Sequence, residues 1–152
     1  MILLSDFWMG RDKEYPADLT PDVARNAERT VQCVNLALSM FYADCPDAHH
    51  RKVRSGWRPP AVNSATPNAA NRSKHMTAQA CDLDDNDREL AKWSVRNKTK
   101  LLAAGINAME RPEATPTWVH WQTAPVGSEV FYFWPTTAAY EAWLKDGGKV
   151  IK

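Results

Sequence analysis

Val23, Ala27, Val31, Val34, Leu38 and Phe41 follow one another at spacings of three and four residues, which lines one face of a helix for about five turns. Chemistry marks its start as well as period. Thr20 offers a capping hydroxyl, Pro21 suits the first helical position and Asp22 puts an acid in the first turn, while Pro46 bounds the other end. A stripe of that length belongs in a core, so other parts of the chain have to cover it. The 152 residues, 44% apolar and 24% charged, can build such a core without disulfide or metal staples. One domain over residues 1–152 is the expectation.

The remainder reads as short strands between turns. Residues 1–19 look irregular, and 53–57 form a short strand stopped by Pro59 and Pro60. Residues 59–72, rich in Pro, Asn, Ala and Ser, have no period and read as a loop, which at that length in a small domain is more often functional than idle. Residues 79–83 alternate as a strand, so Asp82 faces away from Cys81. A helix is predicted over 85–104, with Gly105 as its stop. Strands are predicted at 106–110, 118–122 and 130–134, the first two joined by the turn-rich 111–117, and a last amphipathic helix at 136–144. The fold class is therefore α+β, a small mainly antiparallel sheet with flanking helices.

Charge excludes some functions. With 19 basic and 18 acidic residues there is no basic excess that would suggest nucleic acid, and no apolar run reaches the length needed for membrane insertion. The opening residues lack a charged n-region and a long apolar core, so no signal peptide is expected. Cys33, Cys45 and Cys81 are too scattered for a metal motif and odd in number, which points to free, mostly buried thiols. His49 and His50, being adjacent, point different ways and are poor joint ligands.

His75 and Asp82 are the pair of interest. On one extended strand they would lie about 23 Å apart, whereas two ligands of one ion approach it to about 2 Å. If they act together the chain turns between them, and 76–78 is the natural place. His120, on a candidate neighbouring strand, offers a third donor. Three protein ligands with one open position is the pattern of a catalytic zinc, and no four-cysteine structural site exists here.

Three segments in order, SGWRPPAVN at 55–63, SKHMTAQACDL at 73–83 and TWVHWQ at 117–122, resemble the zinc peptidases of the D-alanyl-D-alanine carboxypeptidase family. That family carries SGxR, then SxHxxGxAxD, then a WxH or WH segment. The likeness spans about residues 5–135 and is closest to small single-domain phage forms. It implies a Hedgehog/DD-peptidase-like fold, with one zinc ion held by His75, Asp82 and His120. It further implies that Arg58 holds and polarises a substrate carbonyl or carboxylate, and that Ser73 orients the loop or binds a ligand. Trp57, Trp118 and Trp121 are candidates to line the cleft. The implied reaction is hydrolysis of peptidoglycan stem peptides, by release of a terminal D-alanine or by cutting an internal L-alanyl-D-glutamate or related bond. The implied protein is a monomer, a phage endolysin that stays cytoplasmic until released to the cell wall, or a virion-associated enzyme. The alternative is a module of the same fold that keeps zinc and has lost catalysis.

Two positions depart from the family. Ala78 stands where glycine is usual, which is costly if φ is positive there. Thr117 stands where many relatives have an acid three residues before the last histidine, and threonine cannot serve as a base at neutral pH. Glu110, at the end of the strand before the 111–117 turn, is the candidate base, with Glu113 second.

Overall fold

The computed structural model describes residues 1–150. The opening segment, predicted irregular, forms two short helices, α1 (Leu4–Trp8) and α2 (Arg11–Glu14), then a 3-10 turn at Pro16–Asp18. Helix α3 (Pro21–Asp44) begins as its sequence dictates, with the Thr20 hydroxyl accepting from the Val23 amide at 3.3 Å and Pro21 in the first turn. Its stripe is buried at Ala27, Val31, Val34, Leu38 and Phe41. There follow β1 (Val53–Ser55), α4 (Pro60–Ala65), β2 (Ala80–Asp84), α5 (Glu89–Arg96), α6 (Lys98–Ala103), β3 (Ala108–Glu110), β4 (Trp118–Gln122), β5 (Tyr132–Phe133) and α7 (Thr137–Lys145).

Three details differ from the sequence reading. The 59–72 loop contains α4, whose Asn63 is buried and donates to the Ala70 carbonyl at 3.0 Å. The helix predicted over 85–104 is two helices, broken at Asn97, where φ is −121° and the side chain bonds back to the Trp93 carbonyl. The last strand is confined to two residues and pairs in parallel with β3, so the sheet is mixed.

The sheet runs β1-β2-β4-β3-β5, and every pairing except β3 with β5 is antiparallel. Because side chains alternate along a strand, its two faces divide the chemistry. Cys81 and Leu83 of β2, Met109 of β3, and Val119 and Trp121 of β4 join the apolar core with α1, α3 and α5. Trp57 and Trp121 are fully buried in that core and so do not wall a cleft, unlike Trp118. The opposite face presents Asp82, Glu110, Trp118, His120 and Gln122 to a cleft of 1210 Å³. Cys33, Cys45 and Cys81 are free; Cys81 is buried and the other two half-buried. Among the described residues no helix is long and apolar enough to cross a membrane.

Candidate metal centre

Strand register assembles the site. Asp82 on β2 is the direct partner of His120 on β4, and β3 pairs with β4 at Ala108↔Gln122 and Met109↔Trp121. Continuing that register sets Glu110 across from His120. Three polar side chains from three adjacent strands thus stand in a row on one face.

His75 comes from outside the sheet, on a turn tied to the residues that follow β1. Its own carbonyl accepts from the Arg58 amide at 3.1 Å, the Trp57 indole donates to the Met76 carbonyl at 3.2 Å, and Arg58 Nη2 donates to Ser73 Oγ at 3.2 Å. Ser73 Oγ also accepts from the His75 amide at 3.3 Å. The chain reverses into β2 at Ala78, where φ is 56°, the left-handed conformation that glycine takes most easily. Burial holds it there: Ala78 is fully enclosed, and its carbonyl accepts from the Thr30 hydroxyl of α3 at 2.9 Å.

The histidine rings are oriented by their outer hydrogen bonds. His75 Nδ1 lies 2.7 Å from the Gly56 carbonyl, an acceptor only, so Nδ1 carries the proton and donates. Its Nε2 then has a free lone pair, no hydrogen-bond partner, and Asp82 Oδ2 at 3.2 Å. Burial holds the His75 pKa below the ordinary histidine value against the pull of Asp82. A neutral imidazole lone pair facing a carboxylate oxygen is two acceptors with nothing between them, and a cation resolves that conflict. His120 Nδ1 lies 2.7 Å from Asp82 Oδ1, while Nε2 lies 3.1 Å from Gln122 Oε1. Gln122 is fixed by its own donation to the Ala124 carbonyl at 2.8 Å, which leaves Oε1 as an acceptor for His120 Nε2–H and turns Nδ1 toward Asp82.

His75, Asp82 and His120 form a group that can hold a metal ion, one donor atom from each lying within 4.8 Å of the others. The donors suit an intermediate metal such as zinc: two imidazoles and one carboxylate, in an open cleft that leaves a position for a further ligand. Burial by itself would raise the Asp82 carboxyl, but His75 and His120 hold it well below the usual carboxylate range. His120 behaves oppositely: burial opposes its charge, yet Glu110 and Asp82 outweigh it and raise its pKa to about 9. In the metal-free site, therefore, a proton on His120 takes part of the place of the cation.

Glu110 Oε1 lies 3.8 Å from His120 Nδ1, beside the three ligands and outside their group. Burial raises its pKa above the ordinary glutamate value, with Asp82 adding to the rise and His120 and Arg58 opposing it. Glu113 does not line the cleft, and the Thr117 hydroxyl accepts a hydrogen bond from Arg54 at 2.8 Å. Arg58 lines the cleft; burial lowers its pKa, and Asp82 and Glu110 partly restore it. Phe133 closes the rear of the site with its ring edge-on to His120 at 6.0 Å. Sequence reasoning assigns no role to two orienting groups: Gly56, which acts through a carbonyl that no side-chain pattern reveals, and Gln122. The period-2 alternation of 118–122 was the available signal, since it puts Gln122 on the face of His120.

No family model, curated protein or solved structure matches the chain.

Proposed function

We propose that the chain is a zinc-dependent peptidase of Hedgehog/DD-peptidase-like fold that hydrolyses peptide bonds in peptidoglycan stem peptides. The observation that carries the reading is the convergence of His75, Asp82 and His120 next to a separate half-buried carboxylate, Glu110, in one open cleft. The ordered resemblance of 55–63, 73–83 and 117–122 to that peptidase family supplies the substrate class.

His75 Nε2, a carboxylate oxygen of Asp82 and His120 Nδ1 would hold the zinc. When bound, zinc supplies a Lewis acid that acidifies water and polarises a carbonyl. Glu110 is the proton acceptor for the attacking water and returns the proton to the leaving amine. A carboxyl group whose pKa is raised toward neutrality is suited to both steps. Arg58, steadied by Ser73, aims a permanently charged group at the developing oxyanion. Trp118 forms one wall of the cleft and shapes the bound peptide.

The test is to load the purified protein with zinc, measure metal content, and follow muropeptide products by mass spectrometry. Release of D-alanine or of stem-peptide fragments, abolished together with zinc binding in His75→Ala, is the expected result. Full zinc occupancy with muropeptides left intact would refute the peptidase and favour the non-catalytic cell-wall or virion module.

A further inference from the structure

Charge is distributed unevenly around the cleft. Arg11, Arg54, Arg58, Arg72 and Lys74 line it, whereas Asp82 and Glu110 are its lining acids. Among the described residues none of the five cations has a carboxylate within 4 Å; the ion pairs of the chain involve Arg25, Arg51, Lys100 and the two site histidines. A divalent ion of +2 would be cancelled by the two carboxylates of −1 each, leaving five positive side chains uncompensated. The whole chain carries only +1, so this is a local concentration of charge.

Arg54 is the best prepared of the five outside the metal centre. Its guanidinium lies 4.7 Å over the Trp118 ring, and Nη1 donates to the Thr117 hydroxyl at 2.8 Å. The ring and the hydroxyl fix the plane of the group and spend one arm of its five-donor fork, so other N–H groups remain for a ligand. Arg11 and Arg58 lie close enough to act on each other electrostatically, with Arg58 Nε buried and unpartnered. Five positive side chains facing two acids in one recess, none of the five in a salt bridge, make a site for an anion.

We propose that the cleft takes an acidic peptide carrying a free carboxylate in addition to the group at the metal centre, and that Arg54 against Trp118 is the subsite for that second carboxylate. Guanidinium forks match carboxylate geometry. The open recess is also lined by Pro125, Val126 and Phe133, apolar surface that suits a peptide better than a phosphate polymer. The choice of a peptide rests on the peptidase reading above.

The probe is a matched pair: the pentapeptide L-Ala-γ-D-Glu-L-Lys-D-Ala-D-Ala and the same peptide with the glutamate α-carboxylate amidated. Calorimetric affinities of the zinc-loaded chain for both are compared in wild type, Arg54→Gln and Arg25→Gln, the last removing a remote ion-paired arginine. The acidic peptide is expected to bind roughly tenfold tighter, about what one charge-assisted pair contributes. That ratio falls toward one in Arg54→Gln, persists in Arg25→Gln, and shrinks with added salt. Equal affinities in wild type, a ratio that survives Arg54→Gln, or stronger binding of inorganic polyphosphate than of the acidic peptide would overturn the proposal. Cleavage is read separately. A chain that discriminates the peptides without cutting either supports this subsite and refutes the peptidase, whereas one that cuts both equally well and binds them equally does the reverse.

Discussion

Gly56→Ala tests the link between packing and the metal centre. A Cβ at residue 56 would lie 2.0 Å from the Phe7 carbonyl oxygen and 2.7 Å from its carbon, whereas unstrained carbon contacts begin near about 3.5 Å. The obstacle is backbone, so α1 and the strand end must separate by more than about 1 Å. Phe7 is fully buried and stacks edge-on with Trp8, which in turn meets Trp57 at 5.5 Å, so the shift propagates into the core. It also breaks the bond from the Trp57 amide to the Phe7 carbonyl, 3.1 Å in the native chain. Overpacking at about 2 kcal/mol and a lost buried hydrogen bond at about 1 kcal/mol give about 3 kcal/mol of destabilisation. For a chain of this size that lowers Tm by about 10 °C. The Gly56 carbonyl moves too, and with it the acceptor that fixes His75, so zinc affinity should fall about 10- to 100-fold. Thermal unfolding of the metal-free protein and competition with a chromophoric chelator read the two effects separately. Gly127→Ala is the control, because its Cβ would meet only Val130 Cγ2 at 3.9 Å. If Gly56→Ala matched Gly127→Ala in both Tm and zinc affinity, the close approach and the orienting role of the carbonyl would both be refuted.

Glu110→Gln should keep zinc and lose turnover by about 10²- to 10⁴-fold, since the amide preserves shape but cannot take a proton; retained kcat in muropeptide assays would remove Glu110 from the mechanism. Ala78→Gly should change stability by less than about 1 kcal/mol, because relief of the left-handed backbone is offset by a lost buried methyl and a more flexible unfolded chain. Ala78→Val should cost more than about 2 kcal/mol in urea unfolding, a branched side chain being both strained and without space there. Stability of the metal-free protein should also depend on pH with opposite signs at the two histidines. The raised pKa of His120 contributes stability that is complete below the ordinary histidine value and is lost as pH rises through about 9. The lowered pKa of His75 works the other way, its neutral form being the folded one, so stability falls as pH drops below the ordinary histidine value. Zinc should abolish the alkaline loss, because bound His120 is already neutral; unfolding midpoints across pH, with and without zinc, check this.

What could be read from the sequence was what local chemistry decides. Helix α3 is legible because its cap, its proline and its stripe lie within one segment and agree. The same is true of β4, whose alternation sorts Val119 and Trp121 to the core from His120 and Gln122 at the cleft. The short helix α4 was hidden because Pro60–Ala65 is too short to show a period, and the Asn63 bond to Ala70 ties it to the loop that follows. The parallel pairing of β5 with β3 was equally hidden, since no residue in Tyr132–Phe133 encodes its partner.

The candidate metal site divides along the same line. His75, Asp82 and His120 were found as residue types at suggestive spacings, but what makes them a site is the β2–β4 register and the turn at Ala78, both non-local. The left-handed backbone that glycine would adopt freely is still required to bring His75 back over Asp82, and here Thr30 and the surrounding core impose it on alanine. Glu110 completes the same logic. In sequence it is one acid among 18. Two-residue periodicity and the β3–β4 register are enough to move it opposite His120, on the cleft face and next to the three ligands. The pairing of β3 with β4 is what places this acid in the cleft, since the neighbouring Thr117 hydroxyl is turned to Arg54 and does not line it.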